Sequence, residues 1–335
     1  MKEQDIRQIK ELLAQPMKIA VIPHRSPDGD AMGSTIGLSL FLKKLGHEVT
    51  VITPNEFPSF LAWLPESDQV VVYEKDRERA TAILTSADLL FALDFNALHR
   101  TGEMENVLSR VESPFIMIDH HQKPDGFAKY TYSNTAFGST CEMIFNFIGF
   151  LGYQELIDKE IATCIYTGIV TDSGSFRFPS TTAATHRITA QLIEKGVDNG
   201  AVHIALFDNN SYQSLQLLGR ALENLKIIPE KRTSYITLSQ QELDYYNYVK
   251  GDTEGIVNYG LSIKDVIFTA IFIEHQEENI VKISFRSKGN FDVNQFARQH
   301  FNGGGHINAA GGKSTLSLED TVKKFEQIVT QMQPS

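Results

Sequence analysis

The chain has 335 residues, 42% of them hydrophobic and 21% charged, which excludes a mainly disordered polymer and favours two domains over one. With 31 Lys and Arg against 41 Asp and Glu, the net charge is -10, so a broad duplex-coating surface is excluded and no long duplex nucleic acid is expected as a partner. Two cysteines, Cys141 and Cys164, make neither a disulfide framework nor a Cys-rich zinc site.

The charged N-terminus, Met1 to Asp5, leads into an amphipathic helix pattern rather than a signal peptide. The most apolar stretch, Met143 to Tyr153, is broken by Asn146 and two glycines and is shorter than the ~20 residues that cross a bilayer. The expected location is therefore the cytoplasm, with no membrane partner. Ile19 to Ile22 is a short apolar run ending at Pro23-His24 and reads as a buried parallel strand. Ala31 to Leu45 reads as a helix with Ile36, Leu40 and Leu45 near one face, closed by Gly46. Glu48 to Ile52, Val70 to Tyr73, Leu89 to Leu93 and Phe115 to Ile118 are further strands, and their alternation with helical stretches predicts a doubly wound, mainly parallel α/β sheet.

From Ser139 to Ile228 the pattern is mostly helical. Then Ser234 to Leu238, Val266 to Glu274 and Ile280 to Phe285 read as strands of a smaller α/β domain with a mixed sheet, and Phe291 to His300 and Leu318 to Met332 as helices. This predicts a catalytic domain over 1–190, a helical connector over 191–225 and a substrate-binding domain over 226–335, with the active site in the cleft between them. Dimers are common among soluble proteins, so a homodimer is the expected assembly.

Residues that metals favour stand where the first-half strands end: His24-Arg25-Ser26-Pro27-Asp28-Gly29-Asp30, then Asp94, then Asp119-His120-His121. Open α/β sheets bind ligands at the carboxyl ends of their strands, so these strand ends share one crevice. Asp172, after the helical run Ile161 to Val170, adds a carboxylate. Taken singly, each Asp is as well explained by a turn or helix cap. Together, Asp28, Asp30, Asp94 and Asp172 with His24 and His120 form a thiolate-free set suited to manganese, magnesium, cobalt or iron rather than structural zinc.

Four carboxylates in one pocket repel one another, and two divalent ions cancel that charge. Such a pair, about 3.5–4 Å apart, lowers the pKa of a shared water from 15.7 toward ~7. Asp94, on the middle strand end, is the expected bridging carboxylate. His121 is left to protonate a leaving oxygen or bind phosphate, and Asp119 to orient a ligand imidazole.

In the second half, Arg286 follows a strand, and Gly303-Gly304-Gly305-His306 precedes Ile307 to Ala310, read as a helix start. Three glycines before a helix can turn N–H groups toward an anion. Gly312-Lys313-Ser314 is not a phosphate loop, and Gly29, Gly33 and Gly37 do not have dinucleotide-fingerprint spacing.

His24-x-x-Pro27-Asp28-x-Asp30, Asp94 with Arg100 six residues on, Asp119-His120-His121 and Asp172-Ser173-Gly174 resemble, in order, the motifs of the DHH phosphoesterase superfamily. Arg286 and Gly303 to His306 resemble its DHH-associated C-terminal domain, so the likeness covers nearly the whole chain. It is strongest to the compact bacterial oligoribonuclease (nanoRNase)/pAp phosphatase group, which implies short RNA oligomers, pAp or other small nucleotides as substrates. It further implies that His24, Asp28 and Asp94 hold one ion and that Asp30, Asp94, His120 and Asp172 hold the other, usually manganese. His121 then faces the substrate, and Arg286, His306 and the glycines bind a phosphate or nucleotide. Arg100 is read equally as a phosphate contact or a helix brace. Neighbouring readings are a phosphodiesterase of cyclic or linear dinucleotides, a pyrophosphatase or exopolyphosphatase, and a non-enzymatic metal-dependent nucleotide sensor.

Overall fold

Apolar runs without polar alternation belong in a sheet covered on both faces. In the computed structural model, which describes residues 1–208 and 210–332, the first-half strands build such a sheet. Two units divide between Asn209 and Asn210. The first contains β1 (Lys18–Ile22), β2 (Glu48–Thr53), β3 (Val71–Val72), β4 (Leu89–Leu93), β5 (Phe115–Asp119) and β6 (Tyr130–Ser133). They are all parallel, in the order β3-β2-β1-β4-β5-β6. Its helices are α1 (Glu3–Leu12), α2 (Gly29–Lys44), α3 (Arg77–Ser86), α4 (Glu105–Leu108), α5 (Thr140–Phe150), α6 (Lys159–Asp172), α7 (Ala183–Glu194) and α8 (Asn199–Phe207).

The two-residue repeat of a strand explains the two cores. Ile19 and Val21 of β1 join residues of α2, α5 and α6, whereas Ala20 and Ile22 join residues of α3 and α4. Strand β6 was not among the sequence expectations. It is a short edge strand that turns Tyr130 and Tyr132 inward and Thr131 outward, so it carries no apolar run.

Helix α2 corrects the expectation of a single apolar face. It is buried on every side from Gly29 to Leu42, because the sheet lies under it and α5 and α6 pack against it. Its glycines make this possible. A Cβ at Gly29 would run into the Thr171 side chain, and one at Gly33 into the Cys164 carbonyl oxygen. A Cβ at Gly168 of α6 would press on the Cys141 sulfur and lie 2.7 Å from Asp30 Oδ1. The four-residue glycine spacing thus serves close packing of α2 on α6, and that packing brings the acidic ends of both helices together. Both cysteines are buried and unbridged.

The second unit has β7 (Lys226–Ile228), β8 (Thr233–Leu238), β9 (Phe268–His275), β10 (Ile280–Ser287), β11 (Gly304–Gly305) and β12 (Ala309–Ser314), in the order β11-β12-β10-β9-β8-β7. Only β8 and β9 pair in parallel. Helices α9 (Tyr212–Glu223), α10 (Gln240–Tyr245), α11 (Val257–Ser262), α12 (Val293–His300) and α13 (Leu318–Gln331) complete it. Phe268, Phe272 and Phe285 anchor one core with α12 and α13, and Ile236 and Ile271 the other with α9 and α10.

The helix start expected at Ile307 to Ala310 is instead the entry to β12, where Ala309 pairs with Arg286. Gly303 and Gly305 are required by that hairpin. A Cβ at Gly303 would collide with the Gly311 carbonyl oxygen, and Gly305 has φ +153°. Gly312, Lys313 and Ser314 lie inside β12, consistent with their not forming a phosphate loop. Among the described residues no helix is long and apolar enough to cross a membrane.

Gly33→Ala should lower stability by about 1–3 kcal/mol through overpacking against backbone that cannot yield. Gly219→Ala, on the exposed side of α9 with nothing within 4 Å of the added methyl, should raise it by about 0.5–1 kcal/mol. Thermal melting of the two variants checks the contrast; equal, small shifts would refute it.

Candidate active site

The order of the first sheet reverses between β1 and β4, creating the crevice at which doubly wound sheets take ligands. β1 ends at Ile22, so His24 stands one residue beyond it, after Pro23, and Asp28 caps α2 by accepting from the N–H groups of Asp30 (3.1 Å) and Ala31 (3.0 Å) through Oδ1. Asp94 follows β4 with φ +62°, a left-handed backbone that costs on the order of 1–3 kcal/mol and is best tolerated by Asp, Asn and Gly. Its N–H continues the ladder to the Ile118 carbonyl at 3.1 Å. Asp119 is the last residue of β5, followed by His120 and His121, and Asp172 is the last residue of α6.

Asp94, 2% exposed, divides its carboxylate between two groups. Oδ2 lies 3.3 Å from His24 Nε2, which is also 3.9 Å from Asp28 Oδ2. Oδ1 lies 3.4 Å from His120 Nε2, which faces Asp172 at 3.2 Å and Asp30 at 3.9 Å. Each imidazole turns Nδ1 to a main-chain oxygen, His24 to Arg25 (2.9 Å) and His120 to Phe137 (3.3 Å), which leaves Nε2 aimed at the carboxylates. Two donor groups, His24–Asp28–Asp94 and Asp30–His120–Asp172, each have the compactness a metal ion requires.

Asp119 holds an imidazole, but it is that of His121 rather than of His120, the residue expected as a ligand. Its Oδ1 accepts from His121 Nδ1 at 2.6 Å and its Oδ2 from the His121 N–H at 3.0 Å. Asp94, Asp119 and His121 also sit close enough together to be considered as ligands. Within that trio the 2.6 Å contact ties Asp119 to His121, with Asp94 beside the pair.

Thr140 was missed by the sequence reading. Its N–H donates to Asp30 Oδ2 (2.6 Å) and its hydroxyl to Asp94 Oδ1 (2.8 Å), while the Cys141 N–H donates to Asp30 Oδ1 (2.9 Å). The Asp30 carboxylate therefore sits on the N-terminus of α5, where unpaired N–H groups and the helix dipole favour an anion. The available signal was Ser139-Thr140-Cys141-Glu142, the Ser-x-x-Glu pattern of a helix start, and Ser139 does cap α5 by accepting from the Glu142 N–H at 3.1 Å.

Burial and the neighbouring charges of Asp94 and Asp28 push the Asp30 carboxyl up to about 8. Burial and the charge of Asp30 likewise push Asp172 well up. Burial alone would lower His24, but the hydrogen bond to Asp94 and the charge of Asp28 outweigh it and raise the imidazole to about 9, against opposition from Arg100. Despite its burial, Asp94 is held well below the usual carboxylate range by hydrogen bonds from His120 and His24 and by the charge of His121. The crowded carboxylates thus call for added positive charge. Hard oxygen and imidazole donors fit a divalent cation, and burial beside Asp30 pushes the Cys141 thiol far up, so no thiolate competes. The donor set fits two ions.

Arg100 has its charge close enough to His24 to oppose its protonation, while its carbonyl accepts from the Arg25 N–H at 2.8 Å. In the second unit Arg286 lies on β10, and Gly303 to His306 form the β11 turn. The N–H groups of Gly303, Gly305 and His306 donate to Ala297, Asn294 and Ala309 within that unit. An anion grip by these amides is therefore not what the turn presents, because the fold uses them for its own hydrogen bonds.

Comparison with known proteins matches residues 18–169 to the model of the DHH family, N-terminal domain, and residues 235–331 to that of the DHHA1 domain. The chain is 31% identical over 311 residues to the probable bifunctional oligoribonuclease and PAP phosphatase NrnA of Streptococcus mutans, covering 92% of this chain and 93% of that one. It is 30% identical to the bifunctional oligoribonuclease and PAP phosphatase NrnA of Thermus thermophilus, covering 97% and 91%. A crystal structure of an exopolyphosphatase-related protein from Bacteroides fragilis superimposes with TM-score 0.95 at 39% identity, covering 98% of this chain and 96% of that one.

The raised values of Asp30 and His24 mean that the folded chain binds more protons than the unfolded chain, from the ordinary carboxylate range up to about 8 and from 6.5 to about 9. Both stabilising contributions are complete at low pH and disappear as pH rises through those values. The depressed Asp94 acts in the opposite direction, but only at acid pH. In a chelator the melting temperature should therefore fall between about pH 6 and about pH 9, and saturating manganese should flatten the slope by replacing protons with cations. A melting temperature that rises across this window in the chelator would contradict the assignment.

Proposed function

The chain belongs to the DHH family, and we propose that it is a metal-dependent phosphoesterase that hydrolyses short oligoribonucleotides to mononucleotides and removes the 3′-phosphate of 3′-phosphoadenosine 5′-phosphate. The observation that carries this reading is the Asp94 carboxylate, with Oδ2 toward His24 and Oδ1 toward His120 in the crevice at the strand ends. The Streptococcus and Thermus relatives support the substrate class, since both activities are in their names.

His24, Asp28 and Asp94 would hold one divalent cation and Asp30, Asp94, His120 and Asp172 the other. Manganese is the first choice, and magnesium, cobalt or iron are compatible with the same donors. When bound, the pair supplies water activation and offsets charge on the phosphoryl oxygens. His121 keeps Nδ1 on Asp119, which fixes the ring, so Nε2 is the atom that would hand a proton to the leaving oxygen. Arg100, whose charge acts on His24, is proposed to meet a phosphate on the side of the first donor group. In the second unit the side chains of Arg286 and His306, rather than the glycine amides, are the groups proposed to hold a substrate phosphate.

A second reading, phosphoanhydride hydrolysis, is favoured by the description of the Bacteroides structure. A manganese-supported panel of pAp, di- to pentanucleotides, long RNA, linear and cyclic diadenylate, polyphosphate and pyrophosphate separates the two. Turnover should concentrate on pAp and the short oligomers. Turnover confined to polyphosphate or pyrophosphate would replace the proposal, and tight binding without turnover would indicate a sensor. His121→Asn should lower kcat by about 10²–10⁴-fold while manganese binding persists. Arg286→Ala should raise KM for pAp and dinucleotides more than for a generic activated phosphodiester; equal losses on both would assign Arg286 to the fold.

A further inference from the structure

Thr140 touches the two carboxylates that stand at the centre of the site, and it does so with two different atoms. Its main-chain N–H donates to Asp30 Oδ2 (2.6 Å) as the first residue of α5, a bond any residue here would make. Its hydroxyl donates to Asp94 Oδ1 (2.8 Å), a bond that depends on the side chain. Thr140 is fully buried, so no solvent competes for either bond. The hydroxyl meets only Oδ1, the Asp94 oxygen turned to His120, while Oδ2 is turned to His24. The two oxygens are chemically equivalent, so the hydroxyl does not choose between them; it holds the carboxylate plane in the torsion that turns one oxygen to each imidazole.

We propose that Thr140 is a positioning residue that supports chiefly the ion position built on Asp30, His120 and Asp172, by pinning the Asp94 carboxylate plane through the oxygen turned to His120. This rests on the two-ion reading of the site. The position built on His24 and Asp28 draws on Oδ2 and on a cap geometry that Thr140 does not touch, so it depends on Thr140 much less. Partners of ligand residues typically change metal affinity by about 10–100-fold.

The test is calorimetric titration of manganese into the metal-free full chain. Wild type should take up two ions. Thr140→Val, which keeps the shape and loses the hydroxyl, should weaken one of the two by about 10–100-fold and leave the other nearly unchanged. Thr140→Ser should restore both, and Thr140→Ala provides a second hydroxyl-free variant should the valine fail to fold. Two ions in wild type with an unaltered isotherm in the hydroxyl-free variants would overturn the role of Thr140 alone, as would equal weakening of both positions. No ion binding in wild type would overturn the reading of the site itself.

Discussion

A single carboxylate, Asp94, ties the site together, and its demands shape the surrounding structure. It is buried, it stands on left-handed backbone, and it is kept ionised by imidazoles on two sides. An isolated buried carboxylate would neutralise itself by taking a proton. Asp94 avoids this because His24, His120 and His121 converge on it from neighbouring strand ends, a convergence that the adjacent positions of β1, β4 and β5 make possible. Any divalent charge added to the crevice replaces protons that Asp30 and Asp172 would otherwise retain.

The packing of α2 on α6 links this electrostatics to the stability of the first unit. Helices approach this closely only where one of them lacks side chains, and Gly29, Gly33, Gly37 and Gly168 supply that absence. The same approach seats Asp30 against the start of α5 and sets Asp172 opposite His120. A methyl added at Gly168 would therefore act on the fold and on the Asp30 carboxylate at once. The burial of α2 on all sides has the same origin, since a helix that carries Asp30 into the crevice and packs against the sheet and two helices has no face left for solvent.

In the second unit, glycines do a different job. Gly303 and Gly305 let β11 fold tightly against β12, while Gly312 makes room for Phe301; Asn294 accepts from the Gly305 N–H, and Asn308 donates to Ser287 and the Gly289 carbonyl. The amides that resembled an anion cradle belong to the hairpin, which shifts the proposed recognition of phosphate to the side chains of Arg286 and His306.

Local chemistry was enough to read the central strands, the long helices and the acidic and imidazole residues at the strand ends. Continuous apolar runs admit few other structures, and four aspartates with paired histidines have few bland explanations when they recur at successive strand ends. Elements whose residues carry no distinctive period were not readable: the edge strand at Tyr130–Ser133, and the alanines and glycines of β12, which suit a helix start as well as a strand until a partner strand is present. The choice of His121 rather than His120 as the partner of Asp119, and the two hydrogen bonds that Thr140 donates to Asp30 and Asp94, also lay beyond the sequence. Asp119 and His121 are only two residues apart, and the backbone path after β5 decides which ring turns back; the Thr140 contacts join residues far apart along the chain, and only the meeting of α2, α5 and the strand ends in space decides which donor reaches which oxygen.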